Sequence, residues 1–183
     1  MKSKTKLHTI LFTIAFLAVF FIPTISIAGD LEDLTRAIEQ NSKDVSAYIK
    51  RGDVYRKMKQ YDNAIADYTK ALSLDPNSPR AYTNRGNCYK WKGEYDKAIE
   101  DFNKAISLNP NFADAYYLRG DTYSLKKMYE RAIEDYTKFI SLKPDSAVGY
   151  ACRGMVYEDM GLNEKAAKDY KISCDKGLTI WCK

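Results

Sequence analysis

The sequence predicts an all-α fold, an α-solenoid of about 3.5–4.5 stacked helix-turn-helix repeats of 34 residues. Three observations predict it. The stretch "YIKRGDVY" at residues 48–55 returns at intervals of 34 residues as "YTNRGNCY", "YYLRGDTY" and "YACRGMVY". Alanine and aromatic residues recur at the same interval, and prolines close the first three units. Each unit also carries two apolar patterns with helical spacing, which indicates two amphipathic helices.

The first 28 residues differ in composition from the rest of the chain. A basic start, "MKSKTKLH", precedes the apolar run "TILFTIAFLAVFFIP", and the small residues Ser26 and Ala28 are placed for cleavage before Gly29. This layout predicts a signal peptide over residues 1–28, so we expect the protein to be exported, either periplasmic or secreted. The alternative is a retained N-terminal segment that anchors the protein in a membrane, because the apolar run is at the short limit for a spanning helix.

Composition excludes several classes of function. The chain has 183 residues and a formal charge of +5, which becomes 5 − 3 = +2 without the signal segment and its three lysines. That balance does not favour a nucleic-acid partner, which needs a clustered basic face. The one histidine, His8, lies in the signal segment, so the mature chain is expected to lack histidine-dependent catalysis and ordinary histidine-bound metals. With no phosphate-binding loop or nucleophile motif, we predict no cofactor, no metal site and no enzyme activity.

The repeat divides the mature chain into successive elements. Residues 29–44 are predicted to form an N-terminal capping half-repeat, because Leu34 and Ala37 align with the second helix of a unit. Units follow at 45–78, 79–112, 113–146 and 147–173, with a tail at 174–183. The fourth unit is degenerate, because Asn163 replaces a recurring tyrosine.

A recurring glycine in each first helix needs an explanation, since glycine costs about 1 kcal/mol relative to alanine inside a helix. Its recurrence opposite a recurring alanine of the second helix predicts that the two helices approach too closely for a side chain. The glycines are Gly52, Gly86, Gly120 and Gly154, and the alanines are Ala64, Ala98, Ala132 and Ala166.

The units resemble tetratricopeptide repeats, whose signature has an aromatic, a glycine and a tyrosine on the first helix and Ala-x-x-x-aromatic on the second. Tyr48, Gly52, Tyr55 and "AIADY" carry it in the first unit, and the resemblance covers residues 45–173.

The chain departs from that pattern by placing an arginine before each glycine, where leucine is commoner. These arginines recur with an aspartate just before the second-helix aromatic, as in Arg51 and Asp67. We interpret the pairs as a ladder of structural ion pairs. The alternative, a row of anion-binding residues, is less favoured because a residue that reads a ligand rarely repeats identically in every unit.

The resemblance implies that the first helices line a concave groove, where the family usually holds an extended peptide or a partner helix. Positions 2, 5, 9 and 12 of each unit form a line at helical spacing away from the packing face, here named the groove stripe. Its members are Ser46, Ile49, Asp53 and Arg56; Arg80, Thr83, Asn87 and Lys90; Asp114, Tyr117, Asp121 and Ser124; and Val148, Ala151, Met155 and Glu158.

The partner-binding candidates come from the second and third units, where the groove is expected to change from basic to acidic. They are Arg80, Asn87, Lys90, Trp91, Tyr117 and Asp121. Tyr117 is the one tyrosine of fifteen outside the repeating positions, so it either anchors a ligand or fills a gap between first helices.

A different known activity is not expected. Some tetratricopeptide proteins hold the C-terminal carboxylates of chaperones with a lysine at position 5 and an asparagine at position 9 of the first unit. This chain has Ile49 and Asp53 there.

The cysteines predict one crosslink. Cys174 and Cys182 are placed so that a turn at Gly177 would bring them together in a disulfide, whereas Cys88 and Cys152 are expected to be isolated thiols.

Together these features predict a non-catalytic scaffold of the bacterial cell envelope that binds a protein or peptide. The alternative is a membrane-tethered structural adaptor of an envelope complex. The oligomeric state stays open.

Overall fold

The structure is a computed structural model that describes residues 29–181, and within this range all regular secondary structure is helical. The helices are α1 (residues 29–40), α2 (Val45–Lys57), α3 (Tyr61–Leu74), α4 (Pro79–Trp91), α5 (Tyr95–Leu108), α6 (Ala113–Leu125), α7 (Tyr129–Leu142), α8 (Ala147–Asp159), α9 (Asn163–Asp175) and a short 3₁₀ helix (Thr179–Trp181).

The helices pack as a stack of hairpins, which confirms the predicted α-solenoid. The most extensive contacts join α2 to α3, α4 to α5, α6 to α7 and α8 to α9, and each hairpin packs on the next through α3–α4, α5–α6 and α7–α8. Consecutive first helices also contact one another, from α2 to α8, whereas consecutive second helices in the described residues do not do so to the same extent. The stack therefore curves with α2, α4, α6 and α8 on its inner, concave side.

Local sequence explains where these helices begin and turn. Asp44 caps α2 by accepting a 2.9 Å hydrogen bond from the Ala47 N–H, and Ser78 caps α4 in the same way over 3.3 Å. Between paired helices the backbone enters the left-handed region at equivalent places, with φ of 58° at Lys59 and 78° at Gly93. Glycine adopts this conformation without strain, so the turn after α4 is locally more favourable than the turn after α2.

The recurring glycines lie where the paired helices approach most closely. A Cβ added to Gly52 would lie 2.8 Å from Cε1 of Tyr68, and one added to Gly154 would lie 2.8 Å from Cε1 of Tyr170. The predicted close approach is confirmed, but the predicted partner is only partly right. The aromatic ring of the second helix is among the three nearest neighbours at all four glycines, while an alanine is among them in unit two, through the carbonyl oxygen of Ala98.

Helix α1 packs against the first unit as a second helix would. Ile38 is buried against Ala47, Tyr48 and Ala71. At the other end α9 continues to Asp175, so the predicted boundary between the fourth unit and the tail falls inside this helix.

The predicted signal peptide at residues 1–28 lies outside the described residues. Among the helices of residues 29–181, none combines the length and the apolar character needed to cross a membrane.

Candidate functional site

A repeated arginine–aspartate pair joins the two helices of every unit. Nε and Nη2 of the arginine donate to the two carboxylate oxygens over 2.7–2.9 Å. The pairs are Arg51–Asp67, Arg85–Asp101, Arg119–Asp135 and Arg153–Asp169. The aspartate side chains are only 5–7% exposed, so these are largely desolvated, bidentate ion pairs.

The remaining terminal nitrogen of each arginine reaches the preceding unit. Nη1 donates over 2.5–3.2 Å to an oxygen on the preceding second helix. The four acceptors are Thr35, Thr69, Asn103 and Thr137. Each guanidinium therefore links three helices, which confirms the structural ladder and leaves these arginines engaged within the protein.

The groove stripe lies along α2, α4, α6 and α8, and its polar end is organised around Asp53. This carboxylate accepts hydrogen bonds from Arg80 Nη2 (2.5 Å), Asn84 Nδ2 (2.8 Å) and the Tyr68 hydroxyl (2.7 Å). Burial and the contact with Asp53 raise the pKa of Tyr68, so its hydroxyl remains a donor. Arg80, a predicted contact residue, is thus exposed but already paired.

Three other predicted residues meet between the second and third units. Lys90 Nζ donates to Asp121 Oδ2 over 2.5 Å and lies 5.2 Å from the centre of the Trp91 ring. The Lys90 side chain is 8% exposed, whereas Trp91 is 63% exposed. The structure therefore brings Lys90, Trp91 and Asp121 together and presents the indole to solvent.

Tyr117 has a packing role in the structure. Its ring is 5.2 Å from the ring of Phe139 and 6.1 Å from that of Tyr136, both on α7. Its hydroxyl accepts a long, 4.0 Å hydrogen bond from Cys152 Sγ on α8, and burial raises the pKa of Tyr117. Tyr117 thus fills space between α6, α7 and α8, and its role as a ligand anchor stays a prediction.

Unpartnered polar atoms mark the stripe near α4. Thr83 Oγ1 and Asn87 Oδ1 on α4, and Arg56 Nε on α2, are buried without a hydrogen-bond partner. Comparison with unit one explains why Asn87 is unpartnered. Asp53 is the equivalent of Asn87 in unit one, and it accepts a hydrogen bond from the Tyr68 hydroxyl. Unit two has Phe102 in place of that tyrosine, and phenylalanine has no hydroxyl.

The far end of the stripe carries exposed aliphatic side chains beside one exposed carboxylate, Glu158, which accepts a hydrogen bond from the Tyr170 hydroxyl. Val148 is 41% exposed and Met155 is 39% exposed, both on α8. Between them, Ala151 is buried. The groove therefore changes from hydrogen-bonding groups on α2 and α4 to exposed aliphatic surface on α8.

Comparison with known proteins gives matches that agree with this geometry. Family models described as tetratricopeptide repeat match residues 79–112 and 102–134, and one described as TPR repeat matches residues 52–90. The crystal structure of MamA is similar at 30% sequence identity, covering 85% of this chain and 91% of that chain with a TM-score of 0.78. The chain belongs to the tetratricopeptide repeat family.

Two further structures are similar to this tetratricopeptide protein. The first TPR of Spaghetti (RPAP3), bound to the HSP90 peptide SRMEEVD, is 28% identical and covers 66% of this chain and 96% of its own, with a TM-score of 0.63. MamA from Desulfovibrio magneticus RS-1 is 20% identical, covers 98% of each chain and has a TM-score of 0.78, which shows the shared fold alone. Comparison with the curated proteins finds no matching sequence.

Two residues of this tetratricopeptide groove were missed by sequence reasoning. Asn84 lies outside the four stripe positions, and Tyr68 belongs to a column that predicts only packing. Both donate to Asp53. The sequence did hold a signal for Tyr68. Unit one has aspartate at position 9 (Asp53) and tyrosine in the second-helix aromatic column, whereas unit two has Asn87 and Phe102 at these two places.

The cysteines within the described residues offer no reactive thiol in the groove. Cys88 and Cys152 are free, as predicted. Cys88 is fully buried, and burial raises the pKa of its thiol to about 12. Cys182 lies outside the described residues, so the disulfide between Cys174 and Cys182 stays a prediction. The described residues hold no group of three or more histidine, cysteine or acidic side chains arranged to bind a metal.

Proposed function

We propose that this tetratricopeptide protein is a non-catalytic scaffold that holds a protein or peptide segment in the concave groove. One observation carries the proposal. Among the described residues, the buried side-chain polar atoms without a partner are Arg56 Nε, Thr83 Oγ1 and Asn87 Oδ1, and all three belong to the groove stripe. Leaving such a group unpaired costs about 1–3 kcal/mol, so unused hydrogen-bonding capacity is retained just beneath the groove at the expense of stability.

The exposed apolar side chains of α8 also support the groove as the binding surface. Val148 and Met155 present aliphatic area on α8, and covering a side chain of this size contributes up to about 1.5–3 kcal/mol. A bound segment would place an apolar residue over α8 and its main-chain groups over α4, once the Asn87 side chain turns toward it. Because the apolar contacts lie at one end of the groove and the hydrogen-bonding groups at the other, the segment would bind in a preferred direction.

The similar structure of Spaghetti supports a peptide as the ligand, because that tetratricopeptide domain is bound to an HSP90 peptide.

The proposal is tested by selecting peptides from a random library on the purified protein and titrating the best binder by calorimetry. Met155→Lys places a charge on the apolar end of the groove, and we expect it to weaken binding at least tenfold. The matched control is Lys104→Ala, which alters an exposed side chain of the second helix α5. Binding that is equally strong in Met155→Lys and the control would place the peptide elsewhere and overturn the proposal.

The scaffold is proposed to act in the cell envelope. The basic start, apolar run and small residues before Gly29 support export and cleavage after Ala28. Mass spectrometry of the protein from its native cells tests this. A mature N-terminus at Gly29 in the exported fraction is the expected result, whereas an intact residue 1–28 segment in the membrane fraction would favour the alternative of a tethered adaptor.

A further inference from the structure

We infer that Asp53 determines which segments the groove accepts, because its own carboxylate fills a preformed carboxylate-binding site. This inference rests on the proposed groove function and deepens it. The segment that binds carries no acidic side chain or free chain end at the place where Asp53 lies.

The site is built by donors that converge from two other helices. The Tyr68 hydroxyl comes from α3, while Arg80 Nη2 and Asn84 Nδ2 come from α4, and all three lie within 2.8 Å of an Asp53 oxygen. Arg56, one turn along α2, adds a second guanidinium, with Nη2 at 3.9 Å from Oδ1. Removing the Asp53 carboxylate would leave two arginines, an amide and a buried hydroxyl facing one point.

The placement of this site makes it accessible from the groove. The Asp53 side chain is 17% exposed, and its partner Arg80 is 63% exposed. A small anion can therefore reach the donors when the carboxylate is absent. With Asp53 present, an arriving carboxylate meets a like charge, and the Tyr68 hydroxyl, Arg80 Nη2 and Asn84 Nδ2 already donate to Asp53, which disfavours acidic ligands.

Another stripe carboxylate provides a matched comparison. Asp114 on α6 is 59% exposed and is paired with Lys143, whose side chain is 50% exposed. An ion pair of this kind is screened by water and contributes little. Removing the Asp114 carboxylate is not expected to create an anion site.

The inference is tested with formate, which has the size and charge of the missing carboxylate. Asp53→Ala is melted in sodium formate and in sodium chloride at equal ionic strength, with circular dichroism to establish that it is folded. We expect its melting temperature to be lower than that of the wild type in chloride and to rise selectively with formate, following mass action. Wild type and Asp114→Ala are expected to show no difference between the two salts.

The donors are tested in the same assay. Adding Arg80→Gln to Asp53→Ala is expected to remove the formate effect. If Asp53→Ala fails to fold in both salts, Asp53→Ser leaves room for the same anion and gives the same comparison. A folded variant that responds equally to formate and chloride, or a wild type that responds to formate as strongly as the variant, would overturn the inference.

Ligand selectivity is measured directly by titrating N-acetylvaline and its amide into both proteins by NMR. Asp53→Ala is expected to bind the acid at least tenfold more tightly than the amide, while the wild type shows no preference for the acid. A preference of the wild type for the acid would contradict the role of Asp53. These outcomes are independent of the library peptide. A failure here would overturn the role of Asp53 alone, and the proposed function would still be decided by peptide binding to Met155→Lys.

Discussion

Arg85 and Asp101 are joined by two hydrogen bonds, 2.8 Å from Nε and 2.7 Å from Nη2, while Nη1 of the same arginine reaches Thr69 of the preceding unit at 3.1 Å. One side chain therefore connects α4 to α5 within its unit and to α3 behind it. Substitutions can separate the stability that the ion pair itself contributes from the cost of leaving one of its charges buried and unpaired.

Replacing the arginine alone leaves an unpaired, buried carboxylate. We expect Arg85→Met to lower the free energy of unfolding by about 3 kcal/mol, because Asp101 loses both charged donors in a largely desolvated position. Urea denaturation measures the loss. In the double variant Arg85→Met/Asp101→Leu no carboxylate is left behind, so most of the stability is expected to return. A double variant as unstable as the single one would contradict this account.

The four repeated glycines are not equally crowded, and alanine substitutions should reveal the difference. A Cβ at Gly52 would lie 2.8 Å from the Tyr68 ring, but the nearest atoms to one at Gly120 would be 3.2 Å away. Overpacking costs about 1–3 kcal/mol, whereas alanine gains about 1 kcal/mol in helix propensity. Gly52→Ala is therefore expected to destabilise the protein clearly and Gly120→Ala much less. Equal denaturation midpoints for the two variants would show that the contact distance does not decide the cost.

The unpartnered oxygen of Asn87 can be satisfied by one added atom. We expect Phe102→Tyr to stabilise the protein by about 0.5–1.5 kcal/mol, because a hydroxyl at this ring position donates to the stripe residue in unit one. The melting temperature should rise by about 2–4 °C in a chain of this size. The control is the same change in an Asn87→Ala background, where no acceptor remains and the gain should vanish. A gain that persists there must have another origin.

Burial of Cys88 predicts a specific loss of stability in alkali. The pKa of this thiol is raised from 9.0 to about 12 in the folded protein. Between these values the unfolded chain has lost the proton and the folded chain keeps it, so the free energy of unfolding falls as pH rises. This one group contributes up to about 1.4 kcal/mol per pH unit.

The measurement compares urea denaturation of wild type and Cys88→Ala at several pH values above the ordinary thiol pKa. Because both proteins share the same tyrosines and lysines, the difference between their slopes isolates the thiol. We expect the steeper decline in the wild type. Parallel declines would show that Cys88 does not keep its proton in the folded protein.

The sequence predicts the fold well because the repeat imposes the same packing problem four times. Gly52 and Tyr68 recur with their equivalents at a fixed interval, so periodicity alone identifies paired helices and their contact. The Arg51–Asp67 pair could be predicted for the same reason, since both members recur together.

The groove could be predicted only as a line of positions, because its residues vary from unit to unit. Position 9 is Asp53 in one unit and Met155 in another, and periodicity says nothing about the neighbours of each. The engagement of Arg80 by Asp53 depends on contacts between units, and so does the packing of Tyr117 against α7 and α8. Such contacts depend on how neighbouring hairpins stack, and the identity of a residue at one position of the sequence does not reveal that geometry.

The series of oxygens that accept from the arginines, beginning with Thr35 and continuing to Thr137, stops at Lys171 on α9, where the same column holds an ammonium group. An ammonium cannot accept a hydrogen bond, and it repels a guanidinium. A further hairpin of this kind added at the carboxyl end, or another molecule joined there in the same register, would bring two cations together. The side chain of Lys171 therefore offers no oxygen to which an arginine stacked on α9 in this register could donate.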